Sequence, residues 1–397
     1  MHYFDYAAAT PLSSHVLVAM EPYFAEQFYN PSAQYLAAQK VHKAVEQARA
    51  DVAGTLKTRP QEIIFTAGGT EANNLAIHGV MARFPGANCV VSAVEHDAVM
   101  EPAGQYSRKL AAVNPDGRID TEALEKLIDD KTVLISVMFA NNEIGTVQPL
   151  AEISKLVKEI RERRQADVIA RAKGKGQRAK KTDQSLSLQP LPLLFHTDAC
   201  QAPNYLRVLP NTLGVDLMTL NGGKMYGPKQ SGILFVKTGV ELEPLIYGGG
   251  QEKSLRSGTE NIAGIIGFAK ALVDSAAMRE AEWLRLVQIQ AAGYDFIQKE
   301  LSKAIINGSK THRLPNNLHI TLPGHDNERL MMALDEQGFM VAAGSACSAS
   351  SDEPSHVLRA IGLTDAAARS SIRITMGRQT NHESVLKLLA TIKELAQ

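Results

Sequence analysis

Cysteine is scarce in this chain of 397 residues: Cys89, Cys200 and Cys347 form an odd set with no CxxC spacing. A disulfide framework and a structural zinc site are thereby excluded as organising devices, no metal is expected, and each thiol has to be read by itself. A surplus of either charge is also lacking. Lys+Arg and Asp+Glu stand at 42 each, so the molecule as a whole has no electrostatic call on nucleic acid or on an anionic membrane. No uninterrupted apolar run is long enough to span a bilayer. The amino terminus, MHYFDYAAATPLSS, lacks the basic-then-apolar order of a secretory signal, and the chain has no internal repeat. These absences point to a cytoplasmic protein with no membrane partner. Its 45% hydrophobic residues are enough for two domains with cores of their own.

What is present is alternation. Apolar residues recur three and four apart from about Tyr35 to Leu56, and the short run Ile63-Ile64-Phe65-Thr66 follows. Strand-like runs continue at Asn88–Ser92, Thr132–Val137, Leu193–His196, Leu217–Leu220 and Gly232–Val236, with helical patterns near Thr121–Leu127 and from Leu150 to about Arg164. Continuous apolar strands between amphipathic helices imply a mostly parallel sheet covered on both faces. From about Asn261 the texture changes to a long helix-rich stretch followed by isolated strands, which reads as a second, smaller α+β domain. One segment breaks the pattern: Arg161 to Pro192 carries nine lysines and arginines against two acids by Lys181. It reads as a solvated, mobile loop, either without catalytic consequence or docking an acidic partner or RNA.

Several strand ends carry chemistry. FTAGGTEANNLA turns through Gly68 and Gly69 into a helix whose free N–H groups, with the Thr70 hydroxyl, make either a phosphate cradle or a plain tight turn. HTDACQ ends a buried strand on Asp198 and, three residues on, Gln201. The aspartate either caps a helix or faces a pyridine nitrogen. EHDAV places His96 just past a strand, and NNEIGTVQP does the same with Asn141 and Asn142; a structural histidine and turn-forming amides are the bland alternatives. Lys224 is delivered by LNGGKMYGPK, among residues that let backbone approach closely. A phosphate cradle, a histidine, an amide, a carboxylate and a lysine at the strand ends of one sheet are the parts of a pyridoxal phosphate site. In such a site a partly desolvated lysine condenses with the coenzyme's aldehyde.

Over nearly its whole length the sequence resembles the cysteine desulfurases, fold-type I pyridoxal phosphate enzymes of the class V aminotransferase-like family. The resemblance is carried by YFDYAAATPL, NPSAQ, FTAGGTEANNLA, EHDAV, NNEIGTVQP, HTDACQ, GGKMYGPK, LRSGTEN, GSACSASSDEPSHVLRAIGL and SIRITMGR. It implies a large domain, residues 15–258, with a mostly parallel seven-stranded sheet, and a smaller α+β domain from 1–14 and 259–397 that bears the catalytic cysteine. It implies Lys224 as the Schiff-base lysine, Asp198 on the pyridine nitrogen, His96 stacked on the ring as a proton carrier and Gln201 on the phenolic oxygen. Gly69, Thr70 and Asn221 would serve the phosphate, joined by Thr259 from the partner of a homodimer. Arg373, Asn142 and Asn30 would bind L-cysteine. Cys347, in a run of small residues, would take the sulfur as a persulfide and pass it to an acceptor protein of iron-sulfur assembly or tRNA thiolation, while Cys89 and Cys200 are read as structural. A selenocysteine lyase or aminotransferase on the same fold, and a non-catalytic adaptor using the basic 161–181 loop, are the other readings. The family usually carries a serine and a histidine where this chain has Asn221 and Gly223, which predicts weaker retention of the coenzyme.

Overall fold

The structure is a computed structural model and describes residues 1–175, 190–344 and 353–396. Cys347 and residues 176–189 of the basic stretch lie outside those residues.

Seven strands form one sheet in the order Ile63–Thr66, Gly232–Val236, Leu217–Asn221, Leu194–Asp198, Thr132–Ser136, Asn88–Ser92, Ser107–Ala111. All but one run parallel; Gly232–Val236 is antiparallel to both of its neighbours. The inner strands are buried along nearly their whole length. This is why they read as continuous apolar runs rather than as alternating patterns. The edge strand Ser107–Ala111 is the exception, and it carries Ser107 and Leu110 exposed.

Helices cover the sheet. In Leu36–Leu56 the buried positions are Ala38, Val41, Val45, Ala48, Arg49, Val52, Ala53 and Leu56. That three- and four-residue spacing is one face of a helix, and Lys57 ends it in the left-handed region at φ 54°. On the opposite side of the sheet the helix Gly69–Met81 buries Ala72, Leu75, Ala76, Ile77, Val80 and Met81.

Three further strands, Ile305–Ile306, Asn317–Thr321 and Ser371–Thr375, form a small antiparallel sheet. Phe4 belongs to the core beneath it, so the amino-terminal residues pack with the carboxy-terminal part of the chain. A 39-residue helix, Ile262–Glu300, serves both cores. Ile262 to Leu272 join the core of the large sheet, and Leu286, Ile289 and Ile297 join that of the small one.

The segment after Arg161 corrects an expectation. The helix that begins at Leu150 runs on to Lys175 instead of ending near Arg164. RERRQADVIARAK contains no proline or glycine and is rich in good helix formers. Its first arginines are also anchored: Arg161 Nε donates to the Leu193 carbonyl at 2.8 Å, and Arg164 Nη2 to those of Asp129 at 2.6 Å and Thr132 at 2.9 Å. At Arg161 and Arg164 the positive charge serves packing. Among the described residues no helix is long and apolar enough to cross a membrane.

Candidate functional site

The parallel strands end on one edge of the sheet, and a cleft opens there. Ligands of open α/β sheets bind at this edge, where successive loops diverge. Gly69, Thr70, His96, Asn142, Asp198, Gln201, Asn221, Lys224 and Arg373 all line the cleft. Residues spread over 300 positions of sequence thus meet at one cleft, with several polar groups converging as they do in small-molecule sites.

At one wall the strand Ile63–Thr66 turns through Gly68, at φ 129°, into the helix Gly69–Met81. Among the described residues no side chain caps this helix, so its first N–H groups are left for an anion. Gly69 is required by contact. A Cβ there would come within 2.8 Å of Cys200 Sγ and 3.4 Å of Asn221 Nδ2, so any side chain would fill the cradle. Asn221 Oδ1 accepts from the Gly223 N–H at 3.0 Å.

Asp198 closes the floor and is 7% exposed. Its Oδ2 accepts from Asn73 Nδ2 at 2.6 Å and its Oδ1 from the Cys200 N–H at 2.9 Å. No helix follows directly, so helix capping is not its role; the Oδ1 bond belongs to a turn. Three titratable neighbours are held uncharged by their surroundings. Burial, with the Asp198 charge nearby, pushes the Glu95 carboxyl and the Cys200 thiol well above their usual ranges. Burial also pulls His196 down to about 4.

Lys224 Nζ donates to the carbonyl of Ala7 at 2.8 Å and also to that of Ala8. Gln201 Nε2 meets the same Ala7 carbonyl at 3.0 Å. Those carbonyls were not foreseen in the sequence, where AAAT after Tyr6 shows only small residues. His96 is the N-cap of the helix Asp97–Gly104 and its Nδ1 accepts from the Ala98 N–H at 3.0 Å. The neutral ring therefore carries its proton on Nε2.

Arg373, 1% exposed, spans from the small sheet to the cleft. Its Nη2 donates to Asp5 Oδ1 at 2.6 Å and its Nη1 to the Asn142 carbonyl at 3.1 Å, while Nε is buried without a partner among the described residues. Two predicted residues do not line the cleft. Thr259 lies in a separate cavity with Ala67, Arg256 and Glu260, and Asn30 binds the Ser32 N–H in an exposed turn. Asn73 lines the cleft and was missed, because nothing local in NNLA distinguishes its amide from that of Asn74.

The family model described as Aminotransferase class-V matches residues 2–168 and 188–388. The cysteine desulfurase IscS of Dictyoglomus turgidum is 38% identical over 403 residues, covering 100% of this chain and 94% of that protein. A solved structure titled NifS-like protein superposes with a TM-score of 0.86 at 29% identity, covering 99% of this chain and 98% of that one. Another, titled SspA in complex with cysteine, gives a TM-score of 0.76 at 32% identity over 95% of this chain and 99% of that one.

Proposed function

Since this chain belongs to the aminotransferase class-V family and is a pyridoxal-phosphate-dependent cysteine desulfurase of it, we propose that its cleft takes L-cysteine and releases L-alanine. The sulfur leaves as a persulfide on Cys347 and passes to an acceptor protein of iron-sulfur cluster assembly or tRNA thiolation. The observation that carries this reading is the meeting of Lys224, Asp198, His96 and Arg373 at one cleft.

The donor set suits the coenzyme. The uncapped helix start at Gly69 and Thr70, with Asn221, would hold its phosphate. Asp198 would hold its ring nitrogen, Gln201 its phenolic oxygen, and Lys224 its aldehyde. When bound, it supplies an electron sink for bond breaking at the substrate α-carbon. The rest of the chemistry belongs to the chain. Arg373 offers a guanidinium to the substrate carboxylate, with Asn142 beside it. The Lys224 amine, kept in place by the Ala7 and Ala8 carbonyls, takes the α-proton. His96, with Nδ1 committed to the Ala98 N–H, gives and takes protons at Nε2. The Cys347 thiolate forms an S–S bond with the substrate sulfur as the substrate C–S bond breaks, and the carbon skeleton leaves as alanine with that electron pair and a proton.

We place the enzyme in the cytoplasm as a homodimer. Thr259, expected to serve a partner's phosphate, lies apart from this protomer's own cleft, and Phe28, Leu36 and Tyr247 are more than 60% exposed on the isolated chain. The test is turnover of L-cysteine by purified protein with pyridoxal phosphate and a thiol reductant, scored as alanine and sulfide. Equal yields of both support the reading. A protein that gains no coloured coenzyme complex and makes no alanine overturns it, and faster turnover of selenocysteine would reassign the substrate.

A further inference from the structure

The floor of the cleft contains a contact that no step above has used. Asn73 sits on the second turn of the helix whose first residues form the proposed phosphate cradle, and it is 1% exposed. Its Nδ2 reaches Asp198 Oδ2 at 2.6 Å, across 125 positions of sequence. Its Oδ1 is buried with no partner among the described residues. An orphaned buried carbonyl is costly, and an apolar residue of the same shape would avoid that cost. What the site retains from an amide here is the donor.

Asp198 is gripped at both oxygens, by Asn73 at Oδ2 and by the Cys200 N–H at Oδ1. Each contact is a hydrogen bond to a charged acceptor, the stronger kind, and together they fix the rotation of the carboxylate plane. One grip is backbone and cannot be lost to substitution. The other is a single side chain, and it ties the carboxylate to the helix that would hold the phosphate. One rigid element thereby sets the distance between the two ends of the bound ring.

We propose that Asn73 is a positioning residue for the coenzyme: it orients the Asp198 carboxylate toward the ring nitrogen and favours its ionised form over proton capture from the ring. This rests on the reading of Asp198 as the ring's partner. Without the Asn73 donor, Asp198 draws the proton from the ring nitrogen more strongly. The ring becomes less positive, and the proton on the Lys224 nitrogen that joins the coenzyme is held more firmly.

The experiment is a pH titration of the visible absorption of the holoenzyme, saturated with pyridoxal phosphate, in wild type and in N73A, N73S and D198N. The midpoint is expected to rise most in D198N. In N73A it should rise in the same direction by about one pH unit, a tenfold change in proton affinity. N73S, whose hydroxyl donor is one bond shorter than the amide, should give a midpoint no higher than N73A and no lower than wild type. A midpoint unmoved in D198N would defeat the assignment of Asp198 to the ring. A midpoint that moves in D198N but not in N73A would overturn the role of Asn73 alone. Cooperative melting of each apoprotein, at a temperature somewhat lowered in N73A by the lost buried hydrogen bond, shows that the variants are folded.

Discussion

Two histidines, one in each sheet, are buried deeply enough to remain neutral, and a third at the cleft is not fully buried. His196 lies inside the large sheet, with Ser136 Oγ at 2.8 Å from Nδ1 and Thr219 Oγ1 at 3.2 Å from Nε2. His319 lies inside the small sheet, opposite Arg373, with Asn307 Nδ2 at 3.0 Å from Nδ1 and no partner at Nε2 among the described residues. Burial depresses His196 to about 4, and burial with the charges of Arg313 and Arg373 depresses His319 to about 3. Neither lines the cleft. His96 does, from a turn between a strand and a helix. A strongly shifted titration marks buried polar packing as readily as it marks chemistry. What distinguishes the cleft is that side chains from several strand ends converge on one volume.

The largest test of that distinction is Lys224→Ala. Removing the amine should lower turnover by about 10² to 10⁴-fold or more, the range for losing a positioned proton-transfer group, and should also abolish covalent retention of the coenzyme on denaturation. His319→Leu, by contrast, should leave turnover within a few-fold of wild type.

Arg373→Lys comes next. A lysine cannot reproduce the planar fork, and the loss of one charged hydrogen bond, about 1.5 to 3 kcal/mol, corresponds to a rise in KM for L-cysteine of roughly ten- to a hundredfold. Initial rates across cysteine concentration would show it. A change confined to kcat would contradict the assignment.

The buried pair makes a prediction about acid. The folded values of His196 and His319 lie below the usual value of about 6.5. The unfolded chain therefore binds more protons between about pH 6.5 and pH 4, and stability falls as pH is lowered through that window. Each histidine contributes on the order of 2 to 3 kcal/mol to that loss by pH 4. In melting curves from pH 7 to pH 4, His319→Leu should flatten the decline. An equal slope in wild type and His319→Leu would show that the buried imidazole is not excluded from protonation.

The smallest effect concerns Gly223. A Cβ there meets its nearest neighbours, Asn221 Oδ1 and Lys229, at 3.5 to 3.7 Å, ordinary contact distances. Gly223→His should be accommodated and should slow coenzyme dissociation by a few-fold, measured as loss of visible absorption on dilution. Unchanged or faster loss would refute the expectation of weak retention.

Much of this was legible in the sequence for a physical reason: it depended on local pattern. The helix expected from about Tyr35 to Leu56 runs from Leu36 to Leu56, and the buried strands begin within a residue or two of their apolar runs. Glycine-bearing turns at Gly68–Gly69 and Gly222–Gly223 marked the strand ends because close approach demands them. What escaped notice depends on distant partners. The continuation of the helix to Lys175 draws on carbonyls at Asp129, Thr132 and Leu193. The grip of Asn73 on Asp198 and the hold of the Ala7 carbonyl on Lys224 join residues more than 100 positions apart. Nothing in a neighbouring window records such pairs.

The central claim, that Cys347 receives sulfur from a substrate bound at the Lys224 cleft, is tested most directly with L-cysteine radiolabelled in its sulfur. The account predicts label on the wild-type protein, released by a thiol reductant, and none on Cys347→Ser with its coenzyme absorption intact. Label persisting on Cys347→Ser, or alanine formed by wild type with no labelled protein, would contradict it.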